Sequence, residues 1–201
     1  MLKSENDRRA KRTKRMIKDA LAELIVEKGF NNISITDLTT RADINRGTFY
    51  IHYTDKYDLL EKVENEIMEE IQEHIKDIDY VNLLGMKVVN EPVPYLVKLF
   101  QYFKENSDFM KAVLGPNGDP LFQRKLKSFM EKALFEKNQI KFFDKEKLLI
   151  PEKYVIAYII SAHLGLVQQW MESGMDKSPR EMALILSKMT IMGPLKATGL
   201  K

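Results

Sequence analysis

The sequence contains no cysteine, and no apolar run reaches the roughly 18 residues of a membrane-spanning helix. The first absence excludes disulfides, thiolate metal sites and cysteine nucleophiles, and it suits a reducing compartment. The N-terminal segment MLKSENDRRAKRTKR has no apolar stretch behind its charges, so it lacks the pattern of a secretory signal peptide. These absences lead us to expect a soluble, cytoplasmic protein that does not enter a membrane.

Catalytic and cofactor-binding patterns are missing as well. The three histidines, His52, His74 and His163, form no metal-ligand cluster in the sequence. No serine, histidine and aspartate occur in a supporting catalytic motif, and the segment GPNG (115–118) lacks the strand and helix that a phosphate loop needs. We therefore expect the chain to be no enzyme and to hold neither a cofactor nor a metal.

Basic residues, in contrast, collect at one end of the chain. The formal net charge is +3, and residues 1–60 account for all of it, with twelve Lys and Arg against nine Asp and Glu. Within residues 1–15 there are seven basic residues and two acidic ones. Such a run is usually only a solubilising tail, but it is also the electrostatic pattern of a nucleic-acid-binding segment.

The first helix is predicted from its apolar spacing. Intervals of three and four residues place one apolar face on Ile17, Ala20, Leu21, Leu24 and Ile25. Gly29 then supplies a left-handed stop after Lys28. Helical spacing continues upstream of the apolar face at Arg8, Arg12 and Arg15, so a basic patch is expected near the beginning of this helix.

Two short helices follow, and each has a predicted cap. Ser34 is the expected N-cap of the second helix, with Asp37 three residues later, and Asn45 is the expected N-cap of the third. The second helix should end near Arg41 or Ala42. Only the turn 42–44 separates the two helices, which is the length that joins the helices of a helix-turn-helix.

The remaining chain also has helical periodicity. Thr54 or Asp55 caps a long fourth helix. Further helices are predicted to begin near Pro94 and at about 120–137, 151–173 and 179–192, with GPNGDP (115–120) as a connection. Ser178, with Glu181 three residues later, is the expected N-cap of the last of them. No useful β-alternation is present. We therefore predict an all-α fold with a small helix-turn-helix domain at residues 1–56 and a larger helical domain at residues 57–201.

The third helix carries side chains that suit duplex DNA. A helix fits the major groove, and its N-terminal residues reach base edges first. Arg46 can donate two hydrogen bonds to guanine, and Gly47 leaves room for the backbone. Each of these residues taken singly also has an explanation that needs no DNA. Phe49 is expected in the core, and a lone Arg or Lys is usually only solvated. The predicted DNA-binding residues are Arg12, Arg15, Thr36, Asn45, Arg46, Gly47, Thr48, Tyr50, His52 and Lys56.

This region resembles the tetracycline-repressor (TetR) family of bacterial transcription regulators. The resemblance runs from about residue 12 to residue 60 and rests on the segments EKGF, ISITDL and RADINRGTFYIHYTDKYDLL. Three departures from the family pattern are Asp43 for glycine, Asn45 for serine and Tyr53 for phenylalanine. The resemblance implies phosphate contacts from four side chains and base reading at a variable position held here by Arg46. The four are Thr48, Tyr50, His52 and Lys56.

For the second domain the resemblance implies a homodimer and an effector, which can be a small molecule or a partner protein. The segments YFKENSDFMKAVLGPNGDPLFQRKL and YVIAYIISAHLGLVQQWMESGMDKSPREMALIL look like the branch of regulators found with dihydroxyacetone kinases. The predicted dimer interface contains Ser161, Gly165, Met182, Ile185, Leu186 and Met189. A candidate ligand pocket contains Phe100, Phe103, Met110, Phe129, Tyr158, His163 and Trp170, although aromatic and methionine stripes are more often plain core.

The expected function is therefore a homodimeric repressor that binds an inverted-repeat operator in double-stranded DNA and is released by a small molecule. The alternative is an activator or coactivator of the same family whose second domain binds a partner protein. The sign of regulation stays open at this point.

Overall fold

The computed structural model describes residues 2–76, 90–115, 120–135 and 149–199, and in these residues the fold is all-α, as predicted. A 3₁₀ turn at Phe30–Asn32 follows the first helix, and no strand occurs in the described ranges. The helices are α1 (Leu2–Lys28), α2 (Ile35–Arg41), α3 (Arg46–His52), α4 (Lys56–Ile75), α5 (Pro94–Glu105), α6 (Ser107–Leu114), α7 (Pro120–Phe135), α8 (Glu152–Glu172), α9 (Pro179–Met192) and α10 (Pro194–Ala197).

The capping residues predicted for α2 and α9 are confirmed. Ser34 and Asp37 form a reciprocal capping box, in which the Ser34 N–H donates to Asp37 Oδ2 at 2.8 Å and the Asp37 N–H donates to Ser34 Oγ at 3.1 Å. Ser178 and Glu181 repeat the arrangement at the start of α9. For α4 the structure selects Asp55, whose Oδ1 accepts the N–H groups of residues 57 and 58 at 2.8 Å each.

The turn between α2 and α3 depends on one left-handed residue. Asp43 has φ of 50°, which is the conformation that the usual glycine would adopt most easily. Its N–H donates to the Thr40 carbonyl, and the Ile44 N–H donates to the Thr39 carbonyl, so the end of α2 forms a Schellman motif. The turn therefore keeps its geometry with aspartate.

The described residues divide into two compact units, of which the first is Met1–Ile67 with Asn106–Gln123. The predicted apolar stripe of α1 is fully buried here, and Phe49 of α3 joins it in the core, as expected. Helix α6 packs on α1, where the Lys18 ammonium donates to Asn106 Oδ1 at 3.3 Å. The sequence interpretation missed α6 as a separate helix. The boundary predicted after residue 56 lies within this unit and stays a prediction.

The second unit comprises Met68–Glu105 and Arg124–Lys201. Within it α5 packs on α9, and Phe100 meets Trp170 of α8 edge to face with ring centroids 5.3 Å apart. The Trp170 Nε1–H donates to the Lys177 carbonyl at 3.0 Å, so this buried indole has its hydrogen-bond partner. The predicted ranges of α8 and α9 agree with the structure. Most of the predicted connection 115–120 and the last residues of the segment predicted as helix at 120–137 lie outside the described residues.

Candidate DNA-binding surface

Helix α3 is short and is held in place from both sides. Asn45 caps its start, since Asn45 Oδ1 accepts the Thr48 N–H at 2.8 Å and the Thr48 hydroxyl at 3.0 Å. Phe49 is completely buried and contacts the ring of Tyr53 with centroids 5.6 Å apart. A seven-residue helix is marginal alone, so this cap and this buried ring are what fix its direction.

Arg46 is exposed and its guanidinium is supported by Tyr50. The Arg46 Nη2 donates to the Tyr50 hydroxyl at 3.2 Å, and the Arg46 Cζ lies 6.0 Å from the centroid of the Tyr50 ring. Tyr50 is itself 48% exposed. This pairing restricts the guanidinium while leaving its other N–H groups available, which is how a base-reading arginine is best prepared.

Gly47 and Thr48 differ in what they offer to a ligand. A Cβ at Gly47 would lie 3.3 Å from Asn45 Oδ1, so a side chain here would crowd the cap as well as the outer surface. The Thr48 hydroxyl hydrogen is already donated to Asn45, which leaves the oxygen as an acceptor until the hydroxyl rotates. A phosphate contact by Thr48 therefore requires the cap to share or release that hydrogen.

His52 lies half-buried at the end of α3. Burial lowers its pKa, and the positive charge of Lys14 lowers it further, so the imidazole is neutral at pH 7. A neutral imidazole contacts a phosphate as a hydrogen-bond donor and contributes no charge of its own. The influence of Lys14 also shows that the basic half of α1 extends close to α3. Lys14 was absent from the predicted site, although it belongs to the basic run.

Lys56 has a different environment from the one expected. Its ammonium donates to three backbone carbonyls at the end of the 3₁₀ turn, those of Phe30 (3.2 Å), Asn31 (2.9 Å) and Ile33 (2.8 Å). It also lies 5.0 Å from the Phe30 ring centroid and 5.3 Å from that of Tyr57. The cation in the first turn of α4 is thus explained without a phosphate, because all three of its donors have acceptors. A DNA contact by Lys56 stays a prediction.

The other predicted DNA-binding residues lie on α1 and α2. Thr36 is exposed near the start of α2, and Arg12 is exposed on α1. Arg15 is also exposed and forms an ion pair with Asp19, with Arg15 Nε and Asp19 Oδ2 separated by 3.7 Å. Exposed pairs of this kind contribute little stability and separate easily, so Arg15 stays available to a polyanion.

Helix α2 is attached to α1 by an ionic group that the sequence interpretation did not identify. Arg41 donates to Glu23 at 2.8 Å and to both carboxylate oxygens of Glu27 at 2.7 and 2.8 Å. These hydrogen bonds lower the pKa of Glu27. A second ion pair joins the two helices: Lys28 at the end of α1 lies 2.8 Å from the Asp37 carboxylate of α2, and this contact lowers the pKa of Asp37. These pairs hold the helix-turn-helix against α1.

The predicted pocket residues do not all lie in one unit. Met110 belongs to the first unit, and the other six belong to the second. Phe100, Phe103 and Trp170 are buried, whereas Tyr158 is 61% exposed. His163 Nε2 lies 2.9 Å from Thr190 Oγ1, and burial lowers the pKa of His163 to about 4. Phe129, on α7, is half-buried.

The predicted dimer residues divide between buried and exposed positions. Met182 and Leu186 are buried within the second unit, while Ile185 is half-buried and Met189 is exposed. Ser161 and Gly165 lie on an exposed face of α8, and a Cβ at Gly165 would meet no atom within 4 Å. This face of α8 is open within one chain.

Two family sequence models match the chain. Residues 17–63 match the model described as bacterial regulatory proteins of the tetR family, and residues 90–192 match a model described as a transcriptional regulator C-terminal region. The second match alone covers half of the chain. The chain therefore belongs to the TetR family of bacterial transcription regulators. This membership makes it a regulator of transcription and not an enzyme.

Similar proteins agree with this assignment. The dhaKLM operon transcriptional activator DhaS of Lactococcus lactis subsp. lactis is 25% identical over 144 residues, which cover 69% of this chain and 71% of that protein. The uncharacterised HTH-type transcriptional regulator YxbF of Bacillus subtilis is 30% identical over 92 residues, 45% of this chain, and the match spans only 24% of that protein.

A solved structure shares the fold. The crystal structure of a TetR transcriptional regulator from Streptococcus agalactiae superposes with a TM-score of 0.62 at 21% identity, covering 94% of this chain and 98% of that one. Among the described helices of this chain, none is both long enough and apolar enough to cross a bilayer.

Proposed function

We propose that the protein acts in the cytoplasm as a homodimeric repressor that binds an inverted-repeat operator and is released by a small-molecule effector. The observation that supports DNA binding most strongly is the exposed Arg46 on a short helix that Asn45 and Phe49 hold rigidly. A helix presented in this way fits the major groove, and a rigid probe loses little entropy on binding.

Each predicted DNA-binding residue has a proposed role. Arg46 reads a guanine edge through its free N–H groups, and Gly47 allows close approach of the backbone. Asn45 keeps α3 in register through its cap. The remaining predicted residues contact phosphates; they are Arg12, Arg15, Thr36, Thr48, Tyr50, His52 and Lys56. To do so, the Lys56 ammonium has to exchange one of its backbone carbonyl acceptors for a phosphate oxygen.

The exposed face of α8 supports the proposal of a homodimer. Tyr154 and Tyr158 are 58% and 61% exposed, and Ser161 and Gly165 on the same face are small enough for close approach of a second helix. Met189 of α9 is exposed as well. An apolar helix face of this extent is covered when two copies pair, and two-fold symmetry then places two α3 helices on successive turns of an inverted repeat.

The proposed effector site lies in the second unit, around Phe100, Trp170 and His163. These side chains combine apolar surface with polar groups, which suits a small organic ligand. A ligand releases the protein from DNA only if it binds one conformation of the dimer more tightly than the other. One observation favours a second candidate function: the similar protein DhaS is a transcriptional activator, so activation through a partner protein is the alternative.

The experiment that tests DNA binding compares specific with random DNA. Duplexes selected from a random library by the purified protein provide the specific sites. Arg46→Ala should weaken binding to selected duplexes by about 1 to 3 kcal/mol and weaken binding to random duplexes much less. Arg180→Ala is the matched control, since Arg180 is an exposed arginine of the second unit. Equal losses on both DNA classes would refute base reading by Arg46.

A further inference from the structure

One side chain of α3 has no role in the fold. Ile51 is 77% exposed, the highest value among the large apolar side chains that the structure describes in the first unit, above Tyr57 at 60% and Val26 at 55%. A β-branched residue does not favour a helix, and an exposed one adds nothing to the core. Single exposed apolar residues are common, so the position of Ile51 on α3 has to carry the argument.

Helical geometry places Ile51 on the outermost line of α3. Successive residues of an α-helix are rotated by about 100°, and the buried Phe49 marks the direction of the core. Gly47 and Ile51 each lie about 160° from Phe49, so both point away from the core. Their exposure agrees with this placement. The flanks are occupied by Arg46 and Tyr50 on one side and by Thr48 and His52 on the other.

In a major groove the outermost line of a helix faces the base edges. Gly47 has no side chain, so the backbone can come close at that point, and one turn later Ile51 is the side chain that reaches the groove floor. Three of the four bases present mainly polar groups there, whereas thymine presents its C5 methyl group. We propose that Ile51 packs against a thymine methyl in each half-site and thereby contributes to sequence specificity. This inference rests on the proposed DNA binding.

The surroundings of Ile51 favour duplex DNA over an apolar protein partner. The flanking side chains are hydrogen-bond donors, and Lys14 is close enough to His52 to lower its pKa. Cations and donors around a single aliphatic group complement a phosphate backbone on either side of a methyl group. An apolar protein surface would desolvate these polar groups without pairing them.

The test removes the methyl group of the thymine or shortens the side chain at residue 51. Duplexes selected by the wild-type protein are prepared with each thymine replaced in turn by deoxyuridine, which lacks only the C5 methyl. At one thymine per half-site the replacement should weaken wild-type binding roughly fourfold, which corresponds to one buried methyl. Ile51→Ala should bind the thymine and the deoxyuridine duplexes equally, and Ile51→Val should keep most of the difference.

Val26→Ala is the matched control, because Val26 is another exposed aliphatic residue of the first unit and should keep the full thymine preference. Thermal melting of Ile51→Ala should match the wild type, since the removed atoms are exposed. Specific binding without any deoxyuridine effect, or an effect that persists in Ile51→Ala, overturns this inference alone. Failure of the wild-type protein to select any duplex overturns the proposed function together with it.

Discussion

The two units differ in what they expose. On the first, α3 presents Arg46, Tyr50 and a half-buried His52 around one aliphatic side chain. On the second, the open face of α8 presents Tyr154 and Tyr158 together with the small residues Ser161 and Gly165. Both units bury ordinary apolar cores, so the cores do not distinguish them.

The two exposed surfaces suit different binding partners. A surface of donors and cations gains little from apolar contact but binds a polyanion well, because phosphates release their condensed counterions. An apolar helix face gains from removal of its area from water, at about 25 cal/mol per Å². The first unit is thus suited to DNA, and in the proposed homodimer the second unit contacts another copy of itself.

The largest effect is expected from a charge placed on the apolar face of α8. Tyr158→Glu should weaken dimerisation at least a hundredfold, because the second copy would then bury an unpaired carboxylate. Sedimentation equilibrium over a range of protein concentrations measures the change. Val26→Glu, at an exposed apolar residue of the first unit, should leave dimerisation unchanged. A dimer that tolerates Tyr158→Glu would place the interface elsewhere.

A second substitution tests whether a cation of the first unit serves the fold or the DNA. Lys56→Met removes three hydrogen bonds to backbone carbonyls, so the free energy of unfolding should fall by about 2 kcal/mol. If Lys56 contacts a phosphate as proposed, the slope of log K against log salt should also become shallower by about one, measured by titration at several salt concentrations. Lys62→Met is the control, since Lys62 makes two exposed hydrogen bonds, to the His52 carbonyl and to Asp58.

The two readouts of that experiment separate the two roles. If the slope of log K against log salt kept its wild-type value, Lys56 would neutralise no phosphate in the complex and its role would be confined to the fold. If unfolding were unaffected, the contacts with the 3₁₀ turn would contribute nothing measurable.

A third prediction concerns the pH dependence of stability in the second unit. Burial lowers the pKa of His163 to about 4, whereas the unfolded chain keeps an ordinary value near 6.5. Below pH 6.5 the unfolded state therefore binds more protons, and stability falls as pH falls toward 4. Between pH 7 and pH 5 the free energy of unfolding should fall by about 2 kcal/mol from this group. Denaturant titrations of the wild type and of His163→Gln measure it, and the variant should show a smaller pH dependence.

A pH dependence that is the same in both proteins would assign the loss to other groups. His52 contributes in the same direction, because burial and Lys14 lower its pKa too. The contribution of His52 to the pH dependence comes from the first unit, so it should remain in His163→Gln. The difference between the variant and the wild type therefore measures the contribution of His163.

Much of the fold was predictable because its signals are local. The caps at Ser34, Asn45 and Ser178 each depend on residues within one helical turn, and the structure confirms them. Helix α6 was missed, since only Asn106 separates it from α5 and no glycine or proline marks the break. The environment of Lys56 was missed for another reason: its three acceptors lie 23 to 26 residues earlier in the chain.

The candidate site shows the same limit. Arg46 was found because its type and its place at the start of a capped helix are visible in sequence. Ile51 was not, although its position two residues after Phe49 would place it on the outer side once Phe49 was assigned to the core. The signal was present, but an isoleucine beside a predicted core residue is normally taken as core itself.

Most of the helices, their caps and the class of protein could be predicted from the sequence alone, because hydrophobic period and capping chemistry act over a few residues and need no distant partner. Which side chains remain exposed is known only from the tertiary structure. Ile51 and Tyr158 lie on the surface, whereas the Lys56 ammonium donates to backbone carbonyls. Exposure depends on which helices pack together, and packing joins residues that lie far apart in the chain.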